Sequence, residues 1–67
     1  MEQMKAQFLN KEVQVYPTDT HKKFARVVDI NPVGVTFLVT KSEGARWKVG
    51  DIKFIAYSAN LSFTLVE

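Results

Sequence analysis

The sequence predicts a mainly β fold: a small, strongly bent, open barrel of five strands behind a short N-terminal α-helix. Three observations carry that expectation. Apolar residues repeat at helical spacing only up to residue 10, and from residue 11 onward the period drops to two. The alternating runs are separated by turn chemistry at Pro17 to His21, Asn31 to Gly34, Ser42 to Gly44 and Ser58 to Asn60. Finally, the chain has 67 residues, too few for five twisted strands to build two full sheets, so the strands must roll up on themselves. Residues 1–67 read as one domain, with the helix over 1–10 and the barrel over 11–67.

In the helix, Met1, Met4 and Phe8 fall on one side with Leu9 beside them. Glu2, Gln3, Lys5 and Gln7 fall mostly on the other, and Asn10 can close the helix. A helix this short is marginal in isolation, so it must dock on something apolar, as a cap on an open barrel end does. Val13 and Val15 alternate with Glu12 and Gln14 in a first strand that Pro17 ends. After the polar turn at Thr18 to His21 comes a second strand, in which Phe24, Arg26, Val28 and Ile30 interleave with Ala25, Val27 and Asp29.

Asn31-Pro32-Val33-Gly34 reads as a tight turn in which Gly34 is free to take a positive φ. The third strand, Val35 to Lys41, is partly apolar on both faces, as expected where a strand bends between two sheets. Ser42-Glu43-Gly44 is a short hairpin connection. Arg46 to Val49 resume the strand pattern, and Gly50-Asp51 interrupt it as a turn or a glycine bulge. Ile52, Phe54 and Ala56 then alternate with Lys53, Ile55 and Tyr57. The last strand is expected to turn Leu61, Phe63 and Leu65 inward, with Ser62 and Thr64 outward. SH3-like and Sm-like barrels fit this order; an OB-type barrel usually places its helix between strands.

Composition narrows the function classes. At 46% hydrophobic and 24% charged the chain reads as a folded globular domain. A net charge of +2 and a pI near 9.1 are mildly basic and compatible with nucleic acid. Without cysteine there is no disulfide, thiolate nucleophile or thiolate metal ligand, and the single histidine, His21, leaves no site that needs two. Asp19 stands where it can pair with His21, but no serine or cysteine completes a triad. Asp29, Glu43 and Asp51 are scattered, and Gly34, Gly44 and Gly50 stand singly rather than in a phosphate-binding loop. No enzyme, cofactor, metal or small-molecule substrate is expected.

The N-terminal residues lack the apolar core of a signal peptide and no run is long enough to span a bilayer, so a cytoplasmic setting without membrane contact is expected. A domain of this size buries only about 60% of the surface of its unfolded chain. Below about 70–80 residues, domains without disulfides or metals need association or unusually good packing. Self-association is therefore expected.

The order of helix and strands resembles that of the Sm/LSm/Hfq family. Phe8-Leu9-Asn10 resembles the Phe-Leu-Asn of the N-terminal helix in the Hfq branch. Phe24 to Phe37 resembles the first Sm motif, and residues 54–66 resemble the segment in which the last two strands flank a short loop. There are departures. Asp19-Thr20-His21 stands where members carry Asp-Gly or Asn-Gly, and Ala25-Arg26 replaces a glycine. Tyr57-Ser58-Ala59 stands in place of Tyr-Lys-His, and the Arg-Gly of other branches is absent. Such a pattern is that of a divergent member, for example one of phage origin working in a host cytoplasm.

The resemblance implies two things. Members hold RNA bases in pockets between the loop after the second strand and the loop before the last. Here those loops hold Asn31 and Gly34, and Tyr57, Ser58 and Asn60. Asn31 and Asn60 would meet base edges and Tyr57 would stack. The alternative is turn chemistry for both asparagines and subunit packing for Tyr57. Members also pair their last two strands edge to edge around a closed ring. Leu61 to Val66 carry neither charge nor proline to block this, which makes Phe54, Ile55, Leu61, Phe63 and Leu65 the expected interface of five to seven copies.

Lys22, Lys23 and Arg26 beside His21 form the densest basic cluster, and Arg46-Trp47-Lys48 joins two charges to a large aromatic, suited to phosphate contact with stacking. Their alternative is a solvated strand face with Trp47 as a packing anchor. The expected function is a non-enzymatic homo-oligomeric ring that binds single-stranded RNA. Its rivals are an SH3-like structural or protein-interaction module of viral type, and a small DNA-binding barrel using the Arg46-Trp47-Lys48 segment.

Overall fold

The structure is a computed structural model and describes residues 2–66. Helix α1 (Glu2–Phe8) precedes strands β1 (Glu12–Val15), β2 (Lys23–Ile30), β3 (Gly34–Ser42) and β4 (Ile52–Ala56); a 3₁₀ turn (Tyr57–Ala59) then leads to β5 (Phe63–Leu65). All five strands pair antiparallel in one unclosed sheet of order β4-β3-β2-β1-β5. This is the mainly β, open five-stranded architecture that the sequence predicts.

The sheet is strongly curled. β3 and β5 stand three places apart, about 14 Å in a flat sheet. Yet the rings of Phe37 and Phe63 meet edge to face with centroids 5.5 Å apart. Inside the curl lie Val13, Val15, Ala25, Val27, Ile30, Val35, Phe37 and Val39, each at most 1% exposed. α1 docks Met4 and Phe8 on this core, joined by Leu9 just after the helix, with the ring centroids of Phe8 and Phe63 4.9 Å apart. Asn10 closes the helix at φ 62, and its N–H donates to the Val27 carbonyl of β2 (2.7 Å). The expected place of Met1 on the apolar stripe lies outside the described residues.

Four local features differ from the sequence reading. Arg46 to Val49 form no strand. β3 ends at Ser42 and residues 43–51 are a loop, in which Trp47 turns to pack against the core instead of alternating along a ladder. The loop ends in a turn where Asp51 N–H donates to the Lys48 carbonyl (3.0 Å) and Gly50 takes φ 95. Pairing with β3 resumes at Val39, whose carbonyl accepts the Gly50 N–H (2.9 Å) and whose N–H donates to the Asp51 carbonyl (2.9 Å).

Gly34 does not take a positive φ; it opens β3 in extended pairing with Ala56. In β2 the alternation breaks at Val28, which has no partner between the pairs Val27–Phe37 and Asp29–Thr36. That bulge lets Val27 and Ile30 both face the core while Val28 and Asp29 face out. Leu65 stands opposite buried Val13 as the alternation predicts, but it is 43% exposed because β5 is an edge with nothing beyond it.

Candidate nucleic-acid interface

Two groups of the expected site residues assemble, at different places. At the β2–β3 turn, Asn31 Oδ1 accepts the N–H groups of Val33 (2.8 Å) and Gly34 (3.0 Å). The Tyr57 hydroxyl donates to the Asn31 carbonyl (2.9 Å), and Tyr57 N–H donates to the Val33 carbonyl (3.0 Å). Asn31, Gly34 and Tyr57 are thus brought together, with the Asn31 amide oxygen already used by the turn and the Tyr57 ring partly packed on the core. Asn60 takes φ 57 to end the 3₁₀ turn, and Ser58 and Asn60 are exposed. For both asparagines the turn role is the visible one.

The connection through residues 57–62 then crosses to the other end of the sheet, where Tyr16 N–H donates to the Ser62 carbonyl (2.7 Å). Here the β1–β2 and β3–β4 loops lock together: Glu43 N–H donates to the Lys22 carbonyl (3.0 Å), and Lys22 N–H donates to Glu43 Oε1 (3.1 Å). Between the loops opens a cleft of about 450 Å³ lined by Tyr16, Asp19, His21, Lys23, Ser42, Gly44, Ala45, Arg46 and Trp47. Lys23 is one of the lining residues. The side chain is only 12% exposed, and its ammonium sits 5.8 Å from the Tyr16 ring centroid and 5.9 Å from that of Trp47.

The counter-ion of Lys23 is Asp19, which the sequence offered to His21 instead. The hydrogen bond from Lys23, and then its charge, hold the Asp19 carboxyl below its ordinary 3.8, with smaller help from His21 and Arg46 against a little desolvation. A depressed folded-state value means the pair stabilises the fold above the unfolded value and is lost as pH falls through the folded one. An NMR titration should find Asp19 protonating below pH 3.8, and Lys23→Met should return it towards 3.8. An unshifted midpoint in the parent protein would contradict the pairing.

The structure therefore gathers Lys23, Arg46 and Trp47 around the cleft, and leaves Lys22 outside its lining, in the contact with Glu43 that joins the two loops. It leaves Arg26 exposed on β2, opposite Glu12, and Lys48 in the turn before β4. Tyr16, Asp19, Ser42, Gly44 and Ala45 line the cleft without having been expected as binding residues, and Tyr16 brings a second aromatic ring. Tyr16 follows β1 directly, ahead of a proline, and only its φ of 50, unusual for an aromatic residue, shows that the backbone turns there. Among the described residues no group of three potential metal ligands gathers, and no helix is long and apolar enough to cross a membrane.

At the sheet edges, Ile55, Leu61 and Phe63 pack on the chain's own core, whereas Phe54 (51%) and Leu65 (43%) are exposed. The exposed apolar residues on the two edges also include Ile52 and Val66. The chain matches no family model, no curated protein and no solved structure.

Proposed function

We propose that this chain is a divergent Sm/LSm/Hfq-like protein that joins copies of itself edge to edge into a closed ring and binds single-stranded RNA without acting on it chemically. The observation that carries the reading is the strand order, which leaves β4 and β5 as the two free edges of one unclosed sheet. Tyr57 N–H bonds to Val33 and Val39 N–H to Asp51, so alternation turns the backbone groups of Ile52, Phe54 and Ala56 outward from β4. Likewise Tyr16 bonds to Ser62 and Val66 to Glu12, so those of Phe63 and Leu65 point outward from β5. The two edges are different surfaces, and a contact between unlike surfaces repeats until it closes or runs on as a filament.

RNA is supported by cations and aromatic rings on the loops, with weak sites multiplied around a ring. Light-scattering mass on a sizing column, with and without oligo-U and oligo-A, tests both parts. Five to seven copies of 7.6 kDa give about 38–53 kDa. The particle should grow with RNA, and the affinity should fall with salt at a log–log slope of about −0.7 for each phosphate held. Asn31→Ala and Tyr57→Ala should weaken that affinity in an intact ring. A ring indifferent to RNA at any salt would favour the second reading, an SH3-like protein-interaction module. The mutual satisfaction of Asn31 and Tyr57, which leaves few polar groups free for a base edge, speaks for that module.

A further inference from the structure

We infer that the cleft between the β1–β2 and β3–β4 loops holds one nucleotide unit, its phosphate on Lys23 and Arg46 and its base against Trp47, and that Asp19 occupies the phosphate position in the free protein. The inference deepens the RNA-binding reading and rests on it for the source of the nucleotide.

Size and shape fit: ligand clefts run to about 300–1,000 Å³, and this one is open and about 450 Å³. Its lining combines two aromatic rings with the basic side chains of Lys23 and Arg46, the pairing by which proteins hold a base and its phosphate together. The charges explain how a ligand enters. Lys23 is nearly enclosed, so its ammonium needs an anion beside it. Asp19 supplies that anion from an exposed loop, its own side chain 54% exposed, and can swing away without unpacking anything. A phosphate offers the same charge-assisted contact with more acceptor oxygens.

Arg46 makes no ion pair among the described residues, so a second cation lines the same cleft. A cationic ligand would instead have to expel Lys23 from between Tyr16 and Trp47. A purely acidic peptide would use the cations and leave both rings idle.

Trp47 is the one tryptophan of the sequence, so its fluorescence reports the cleft directly. Titration with uridine and adenosine 5′-monophosphates should quench it, whereas the nucleosides, inorganic phosphate or polyglutamate at equal concentration should quench far less. Asp19→Asn removes the competing carboxylate and should tighten the mononucleotides by about two- to fivefold, the range an exposed ion pair is worth. Arg46→Gln should loosen them with the fold unchanged. Looser or unchanged binding by Asp19→Asn, or equal quenching by polyglutamate, would overturn the assignment.

Anisotropy of a labelled oligo-U on the same protein separates the two readings. If the oligonucleotide binds while Trp47 stays silent, the cleft assignment fails and RNA binding stands. If mononucleotides quench but the oligonucleotide does not bind, the cleft stands and the RNA reading fails.

Discussion

Gly34→Ala is expected to lower stability by about 3 kcal/mol or more, at the upper end of what overpacking costs. A Cβ at this position would lie 2.3 Å from the Ile55 carbonyl oxygen and 2.7 Å from the Ala56 Cα, both backbone atoms of β4. No rotamer change relieves such a contact, so the β3–β4 pairing itself must open. At about 0.05–0.15 kcal/mol per residue, the 67-residue chain has only about 3–10 kcal/mol in total. The other glycines calibrate the result. Gly50→Ala meets nothing within 4 Å but must hold φ 95, which costs about 1–2 kcal/mol. Gly44→Ala meets only the His21 side chain, at 3.7 Å, and should be close to neutral. Urea midpoints at constant m-value rank the three. An unchanged midpoint for Gly34→Ala would refute the close approach.

Gly34 also shows where sequence reading stops. Its position in a turn is legible from Asn31 and Pro32, but its reason is not, because the atoms that exclude a side chain belong to a strand some twenty residues later. The same boundary runs through the whole chain. β1 and β3 are legible because buried Val13, Val15, Val35, Phe37 and Val39 keep period two without a break. β2 hides its buried face because the bulge at Val28 shifts the phase in mid-strand, and alternation alone cannot say on which side of the break to count.

Arg46 to Val49 carry strand-like residues, yet Trp47 gains more by packing on the core than by extending a ladder, a tertiary preference overriding a local one. The cleft was half legible. Its cations and Trp47 stand out as composition, whereas Tyr16 and Asp19 join them only through the turn at residues 16–19, where Asp19 N–H meets the Tyr16 carbonyl (2.9 Å).

If the chain forms the proposed ring, Leu65→Pro is expected to disperse it and leave the fold intact. Val66 N–H and the Ser62 carbonyl both bond to β1, so the Leu65 N–H points away from it, to the open edge. Proline there removes an outward donor and puts a ring in the path of an approaching strand, while the ladder to β1 keeps every bond. The constraint on the preceding residue is already met, because Thr64 lies in an extended strand. One hydrogen bond is worth only about 0.5–1.5 kcal/mol net. In a closed ring the loss recurs at every contact, so assembly should collapse to a 7.6 kDa monomer with the circular dichroism of the parent. Thr64→Pro instead takes away a donor that faces β1 and should loosen β5 itself, which separates a blocked edge from a damaged fold. Leu65→Ala keeps the donor and should weaken the ring without dispersing it. A Leu65→Pro protein that still elutes at ring mass would rule out β5 as the joining edge.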